Sequence, residues 1–304
     1  MHTAARTPPV IAIAASAVLL TACGSQSTGP SGRGAEHPEA PRAADAPGDP
    51  AGPEQDGVRI TGAGKRPHGE PSVASAEFTV TNREAVPFTY TVTFTVTSAS
   101  GAALETSQQT VPSVPAGRTV QRTVRVDVAQ GGTHDGKQVR ISKVRRVPAD
   151  EAPSATGPCP PSGIRITADD GDAAMGFRAV GLHLTNCGTG TYHLDGSPLV
   201  ELLDEGRKPV SGIDILHDAK DIASGTGFEN PPGPVDLVPG GSASAGLVWR
   251  NTTGAGTAVN VPYVRIKAGP DARPVTVTPE LDLGTTGKLA VSPWKAVDRA
   301  AVQQ

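Results

Sequence analysis

The most reactive side chains in this sequence are its three cysteines, Cys23, Cys159 and Cys187. A cysteine thiolate is a nucleophile and a target of oxidation, so the fate of each thiol bears on function. Cys23 follows an apolar run at residues 10–20, which is itself preceded by Arg6. A basic start, a short apolar run and small residues before a cleavage point are typical of a secretory signal peptide. We therefore expect residues 1–22 to be a signal peptide and Cys23 to begin the mature chain.

Leu20, Thr21 and Ala22 directly precede Cys23, and the four residues together resemble a bacterial lipobox. The resemblance implies a diacylglyceryl group on the Cys23 sulfur, which would consume an otherwise exposed and reactive thiol. The alternative is an ordinary signal peptide with a chance cysteine at the cut. The apolar run is too short for a spanning helix, which needs roughly 20 residues, whereas two acyl chains suffice for stable anchoring. The sequence thus predicts a cell-membrane protein, lipid-anchored at Cys23, with its body on the extracytoplasmic face.

Cys159 and Cys187 remain as a pair in an oxidising compartment, where disulfides persist. A bridge between them would stabilise the fold by about 3.6 kcal/mol in the chain-entropy model. The alternative is two free thiols, one of which acts as a nucleophile. We predict a disulfide that links the start of a second folded region to the end of an early strand of that region.

Histidines and carboxylates form the next candidate site, a metal centre. The residues that could contribute are His183, His193 and His217 with Asp195, Asp214 or Asp218. No pair among them has a familiar ligand spacing such as His-Glu-x-x-His. Residues 169–172, Asp-Asp-Gly-Asp, lack the further oxygen ligands and the closing Glu of a calcium loop, so we expect a solvated hairpin turn. The sequence predicts no metal site.

Catalytic motifs are also incomplete. Residues 284–288 have the wrong spacing for a phosphate loop, and residues 240–244 lack the second glycine of a nucleophile elbow. No pair of carboxylates is placed for acid–base catalysis. The prediction is therefore a protein that is not an enzyme and has no cofactor.

Composition limits the class of protein. The chain has 304 residues, a formal net charge of −3 and 3% aromatic residues. Nucleic acids and anionic membrane surfaces require a basic patch, so this balance argues against either as the main partner. Residues 23–57 are rich in Gly, Pro, Ser and Ala and have no hydrophobic periodicity. Because such a segment cannot offset its ordering entropy, we predict a disordered tether.

The first folded region is predicted at residues 58–147. From residue 88 to residue 97, aromatic and branched residues alternate strictly with threonines. Side chains on a strand alternate between faces, so the apolar set should face a core and the threonines water. Similar runs at residues 74–80, 120–128 and 139–147 are separated by turn signals. Short strands with regular turns favour an immunoglobulin-like antiparallel β-sandwich.

Residues 148–158 are predicted to be an inter-domain linker, residues 159–294 a second β-rich domain and residues 295–304 a tail. The alternation around Trp249 places this side chain in the core. A short helical turn is predicted around residues 218–224. The predicted strands are residues 164–167, 177–186, 199–203, 210–216, 244–250, 260–267 and 275–278.

Three blocks of this second region resemble the domain-of-unknown-function 4232 family of actinobacterial cell-envelope lipoproteins. They are LHLTN at residues 182–186, YHLDGSPLVELLD at residues 192–204 and LVPGGSASAGLVW at residues 237–249. Ser197 stands where an aromatic residue is usual in the family. The resemblance implies a secreted β-sandwich and no known activity.

We therefore expect an all-β protein with two tandem immunoglobulin-like antiparallel β-sandwiches after a disordered tether. The expected function is non-enzymatic binding or scaffolding, with an unknown envelope or extracellular protein or glycan as the partner. One alternative is a glycan or small-ligand binder that uses exposed aromatic rings for stacking, namely Trp294, Tyr192 or Tyr263. The other alternative is an uncharacterised extracytoplasmic hydrolase.

Overall fold

The computed structural model describes residues 53–63, 73–128, 137–229 and 231–297. These ranges contain twenty β-strands and one 3₁₀ turn, and no α-helix. None of the helical structure in these ranges is long and apolar enough to cross a bilayer. The all-β prediction is confirmed. Cys23, the predicted signal peptide and most of the predicted tether lie outside the described residues.

The first β region consists of two three-stranded antiparallel sheets packed face to face. Its strands are β1 Val58–Ala63, β2 Val73–Thr81, β3 Phe88–Thr97, β4 Ala103–Val114, β5 Thr119–Asp127 and β6 Gln138–Pro148. One sheet has the order β1-β2-β5 and the other the order β4-β3-β6. The sequence predicts β2, β3, β5 and β6, whereas β1 and β4 are found only in the structure.

The core of the first region follows the alternation in β3. Phe88, Tyr90, Val92, Phe94 and Val96 are all buried and pack with apolar residues of the facing sheet. The ring centroids of Phe78 and Phe94 lie 4.9 Å apart across the two sheets. The predicted core face of β3 is therefore confirmed.

The described residues begin inside the range predicted to be tether. Gln55 forms a β-bridge with Val58, and the Thr81 N–H donates to the Gly57 carbonyl at 2.8 Å. Gly57 has a φ of +82°, and a Cβ at this position would overlap the Thr81 carbonyl. Residues 55–57 thus belong to the first β region.

The second β region is built around one large sheet. Its elements are β7 Ile164–Ala168, β8 Asp172–Ala174, β9 Phe177–Asn186, β10 Tyr192–Asp195, β11 Leu199–Leu203, β12 Asp214–Leu216, the 3₁₀ turn Ala219–Asp221, β13 Pro234–Leu237, β14 Ser242–Arg250, β15 Val259–Val261, β16 Tyr263–Lys267, β17 Val275–Val277, β18 Leu281–Gly284, β19 Lys288–Val291 and β20 Lys295–Ala296. The large sheet has the order β12-β19-β14-β9-β7, with β8 along β9 and β20 along β14. The smaller sheets are β11-β16-β17, β10-β13 and β15-β18.

Two details of this region differ from the sequence predictions. The pair β12–β19 is parallel, although every other strand pair in the described ranges is antiparallel. The strand predicted at residues 260–267 is split into β15 and β16 around Pro262, since proline has no N–H to donate to a ladder. The helical turn predicted around residues 218–224 is found as the shorter 3₁₀ turn Ala219–Asp221.

The second core lies between the large sheet and the smaller sheets. Leu182, Leu184 and Leu247 come from the large sheet, and Ile266 and Leu281 from the strands opposite. Trp249 is 3% exposed, so its predicted place in the core is confirmed. The face of the large sheet turned away from this core is called the outer face below.

Candidate functional site

The predicted disulfide between Cys159 and Cys187 is confirmed, with Cα atoms 5.6 Å apart. Strand β9 ends at Asn186, whose Oδ1 accepts a hydrogen bond from the Gly188 N–H at 3.0 Å. The N–H groups of Cys187 and Gly188 both donate to the Gly163 carbonyl at 2.9 Å. The bridge and these bonds fix the start of the second region to the end of β9.

Asp169 lies in a bulge of the strand at the edge of the large sheet. Strands β7 and β8 both pair with β9. Between them, the three residues 169–171 stand opposite only two residues of β9, so this edge has one extra residue. The predicted hairpin turn at residues 169–172 is therefore wrong, because the chain continues along the same neighbouring strand. The turn itself lies at Met175 and Gly176, between β8 and β9.

The bulge directs the Asp169 carboxylate to the outer face and towards His183. Its Oδ1 accepts hydrogen bonds from the N–H groups of Gly171 at 3.0 Å and Gly181 at 2.9 Å. Its Oδ2 lies 3.3 Å from His183 Nε2. The structure thus joins His183, a metal-ligand candidate, to a carboxylate that the sequence predicts only as a turn residue.

Two glycines allow other groups to lie directly against this face. Gly181 and Gly246 are partners across β9 and β14. A Cβ on Gly181 would overlap the Asp169 carboxylate, and a Cβ on Gly246 would overlap the ring of Phe228. The close approach of these two groups therefore requires glycine at both positions.

We call Asp169, His183, Ser244, Lys295 and Phe228 the outer-face patch. Ser244 is the register partner of His183 on one side and of Lys295 on the other. The side chains of His183 and Asp169 are 52% and 45% exposed. Among the described contacts no hydrogen bond joins His183 to Ser244, whereas an activated serine nucleophile is hydrogen-bonded to its base. The patch is suited to hydrogen bonding with a polar ligand.

The other metal-ligand candidates are dispersed. His193 Nδ1 lies 2.6 Å from Asp236 Oδ1 across β10 and β13. Asp218 accepts a hydrogen bond from the Lys220 N–H at 2.9 Å and caps the 3₁₀ turn. Asp195 and Asp214 lie in different sheets, and His217 follows β12. Within the described ranges, no three His, Cys, Asp or Glu side chains are grouped as metal ligands.

The prediction that Trp294 and Tyr263 are exposed for stacking is wrong, because they are only 1% and 2% exposed. The Trp294 Nε1–H donates to the Ala268 carbonyl at 3.2 Å inside the core. Tyr192 is partly buried against the same core, and burial raises its pKa. Aromatic stacking on these three rings is not supported.

A dense set of contacts, which we call the junction, connects the two β regions. Arg145 of β6 donates to both carboxylate oxygens of Glu280 at 2.5 and 2.8 Å, and to both of Glu205 at 3.0 and 3.1 Å. Its guanidinium carbon lies 5.6 Å from the centre of the Tyr263 ring. The hydrogen bonds to Glu280 raise the pKa of Arg145. Arg145 is thus ion-paired to two acids of the other region.

A second ion cluster in the junction centres on Glu84. One of its oxygens accepts from Arg146 of the same region at 2.9 Å and from Arg207 of the second region at 2.8 Å. The Arg207 guanidinium also lies 4.8 Å from the centre of the Phe88 ring. The hydrogen bond from Arg207 lowers the pKa of Glu84. Arg207 has a φ of +60°, a conformation uncommon outside glycine, and its side chain is fixed by these contacts.

The segment predicted as a linker forms the third part of the junction. Glu151 accepts hydrogen bonds from Arg265 at 2.8 and 3.0 Å and from the Thr276 hydroxyl at 2.7 Å. These bonds to Glu151 raise the pKa of Arg265. The apolar side chains of the junction are Val147, Ala152, Leu203 and Tyr263. The two regions keep separate cores, but their described residues belong to one compact unit.

The junction is a feature that the sequence analysis missed, although local charge carries a signal for it. Residues 58–147 contain twelve Lys and Arg against six Asp and Glu, a net charge of +6. Residues 159–294 contain ten Lys and Arg against fifteen Asp and Glu, a net charge of −5. Two neighbouring regions of opposite charge favour docking through ion pairs.

Comparison with known proteins identifies the second region. A family model described as "Domain of unknown function (DUF4232)" matches residues 159–295, so a DUF4232 domain forms this part of the chain. A search of curated proteins found no match. Among solved structures, the chain is similar to the crystal structure of red sea bream transglutaminase at 9% identity and a TM-score of 0.19. The alignment covers 81% of this chain and 32% of that one. A likeness at this TM-score indicates neither a shared fold nor a shared activity.

Proposed function

We propose that this chain, whose residues 159–295 form a DUF4232 domain, is a lipid-anchored protein of the cell envelope. It acts there as a non-enzymatic binding or scaffolding module on the extracytoplasmic face. The observation that carries this function is the junction, because Arg145–Glu280 and Arg207–Glu84 join the two β regions and Arg265 binds Glu151 of the segment between them. Two regions held in one arrangement present a defined surface to a partner. They lose less conformational entropy on binding than two regions that move independently.

Two further features support the placement. The lipobox-like residues before Cys23 favour acylation, and the disulfide favours an oxidising compartment. The blocks shared with actinobacterial lipoproteins favour an origin in that group. In the first region, the second strand pairs with the fifth and the third with the sixth. This is the pairing of strands B with E and C with F in immunoglobulin domains, so we assign the first region to that class.

The anchor is tested by replacing Cys23 in the full-length gene and separating membrane from soluble extracytoplasmic protein. The unaltered protein should sediment with membranes and carry two or more acyl chains on an N-terminal Cys23, as measured by mass spectrometry. Cys23→Ala should lose the lipid and become soluble, whereas the neighbouring control Ser25→Ala should behave like the parent. An unaltered protein whose mature N-terminus carries no lipid contradicts the placement.

The binding role is tested by cross-linking intact cells and recovering the full-length protein. A specific envelope component should be enriched over a matched membrane lipoprotein. Its recovery should fall when Arg145→Gln and Arg207→Gln together loosen the junction. Recovery of the same component by the control lipoprotein would count against a binding role.

A further inference from the structure

A cleft opens in the first region between β4 and β5, which are edge strands of the two facing sheets. Its volume is about 510 Å³. The lining residues are Ser107, Gln108, Gln109, Thr123, Val124 and Arg125.

The cleft exists because β4 carries polar side chains at positions that face the core. Gln109 is the register partner of Val92, and Ser107 is the partner of Phe94, both of which are completely buried. Nearer the turn to β5, Val111 is buried and closes the sandwich. Apolar side chains from both sheets normally interdigitate between the layers. Polar residues at positions 107 and 109 therefore leave the two edges apart.

The cleft has an apolar floor and a basic side. Val124 is 2% exposed and forms the floor. Arg125 lines the wall and is exposed, whereas Arg122 is not a lining residue and lies on the opposite face of β5, as the register partner of Phe78. No carboxylate in the described ranges forms an ion pair with either arginine. The Arg125 guanidinium can therefore donate hydrogen bonds to an anion from outside the protein, whereas Arg122 Nη1 already donates to the Gln121 carbonyl at 2.8 Å.

We propose that this cleft binds an acidic glycan, a carbohydrate chain that carries carboxylate or phosphate groups. The proposal rests on the binding function proposed above and supplies its ligand class. The hydroxyl of Ser107 and the amide of Gln109 match sugar hydroxyls as hydrogen-bonding partners. Arg125 matches an anionic group, since a guanidinium binds carboxylate and phosphate with two parallel hydrogen bonds.

The same strands are poorly suited to an acidic peptide. A peptide that adds to a sheet edge needs an unobstructed row of backbone groups and pockets for alternate side chains. Arg122 places a charge at a core-facing position of one edge, and Pro112 lies within the other strand. Both features are known to protect edge strands from pairing. Recognition by side chains, rather than by strand addition, fits the cleft.

Calorimetric titration of the full-length protein in neutral detergent tests the proposal. The probes are hexagalacturonate for carboxylate groups, a glycerol phosphate oligomer for phosphate groups and maltohexaose as the neutral control. At least one acidic probe should bind, with an affinity that falls as salt rises, and maltohexaose should not. The stronger acidic probe identifies the type of anion.

Variants locate the binding to the cleft. Arg125→Gln should weaken binding about tenfold, the loss expected for one charge-assisted hydrogen bond, whereas Arg122→Gln, on the opposite face of the same strand, should weaken it less. Arg140→Gln removes the same charge from β6 and should leave the affinity unchanged. Ser107→Val, which adds an apolar group opposite Phe94, should abolish binding while the melting temperature is kept or raised.

Three results would overturn the proposal: no heat of binding with either acidic probe, equal weakening by Arg140→Gln, or equal binding of an oligoglutamate peptide. Each leaves acylation of Cys23 intact, because the titration does not depend on anchoring. Failure of this proposal is therefore distinguishable from failure of the proposed anchor.

Discussion

Replacing Arg145 by glutamine tests whether the junction stabilises the two β regions as one body. The Arg145 side chain is 13% exposed, whereas its partners Glu280 and Glu205 are 35% and 71% exposed. Glutamine keeps part of the aliphatic stem but loses the charge and the planar fork. Glu280 is then left with Lys143 at 3.4 Å. The substitution therefore removes the better of two cations from a partly buried carboxylate.

The size of the effect follows from these exposures. Exposed ion pairs contribute about 0.2–1 kcal/mol, and breaking a fully buried pair costs about 3–5 kcal/mol. The bidentate pair with Glu280 lies between these limits, at about 2 kcal/mol. The pair with Glu205 and the contact with the Tyr263 ring each add about 0.5 kcal/mol. The free energy of unfolding should fall by about 3 kcal/mol, which lowers the melting temperature by about 6–10 °C in a body of this size.

Differential scanning calorimetry of the full-length protein measures this change. Because each region has its own core, Arg145→Gln should also separate the melting of the two regions into distinct transitions. Arg140→Gln, which removes an exposed charge from the same strand, is the matched control. A double-mutant cycle with Glu280→Gln should give a coupling energy of about 1–2 kcal/mol.

The reasoning is refuted if the unfolding free energies of Arg145→Gln and Arg140→Gln differ by less than about 0.5 kcal/mol, the usual range for surface substitutions. A coupling energy of zero with Glu280→Gln would also refute it. Either result would mean that the junction contacts do not stabilise the folded protein.

Two further predictions concern acid stability and the outer face. Arg207 lowers the pKa of Glu84 in the folded protein. The ionised Glu84 therefore contributes its full stabilisation to the fold above the ordinary glutamate pKa of about 4.3. This contribution is lost as the pH falls through the lowered pKa. Glu84→Gln should therefore flatten the acid side of a plot of unfolding free energy against pH, measured by urea titration, and parallel curves would contradict this. Gly246→Ala should cost about 1–3 kcal/mol through overlap with the Phe228 ring. Gly190→Ala, where a Cβ meets nothing within 4 Å, should leave the thermal melt unchanged, and equal losses in both variants would contradict the packing argument.

The fold was predictable where local pattern and burial agree. Strand β3 has an apolar residue at every second position, and all of these face one core. Strand β4 was not predictable in the same way, because most of its twelve residues are exposed and only Val111 and Val114 are buried. An edge strand beside an open cleft has no continuous apolar face, so its sequence lacks the alternating pattern by which a strand is recognised. The missed strand and the candidate ligand cleft therefore have the same physical cause.

The individual contacts of the outer-face patch and of the junction could not be predicted, because they depend on how the strands are arranged in the folded protein. Asp169 reaches His183 only because a one-residue bulge redirects its carboxylate and Gly181 leaves room for it. Arg145 and Glu280 are 135 residues apart in sequence and are brought together by the tertiary fold. Residue types alone marked none of these pairings. The disulfide was predictable because only two cysteines remained once Cys23 was assigned to the signal.

Local charge changes what the net charge of the chain can exclude. The value of −3 argues against anionic partners only if the charge is evenly spread, yet residues 58–147 carry +6 and residues 159–294 carry −5. Exposed charges act over a Debye length of about 8 Å at physiological salt. Arg145 and Arg146 are paired with acids at the junction, whereas Arg125 lines the cleft on another strand. A ligand at the cleft is therefore closer to Arg125 than the average charge of the chain suggests, and an acidic ligand is compatible with an acidic protein.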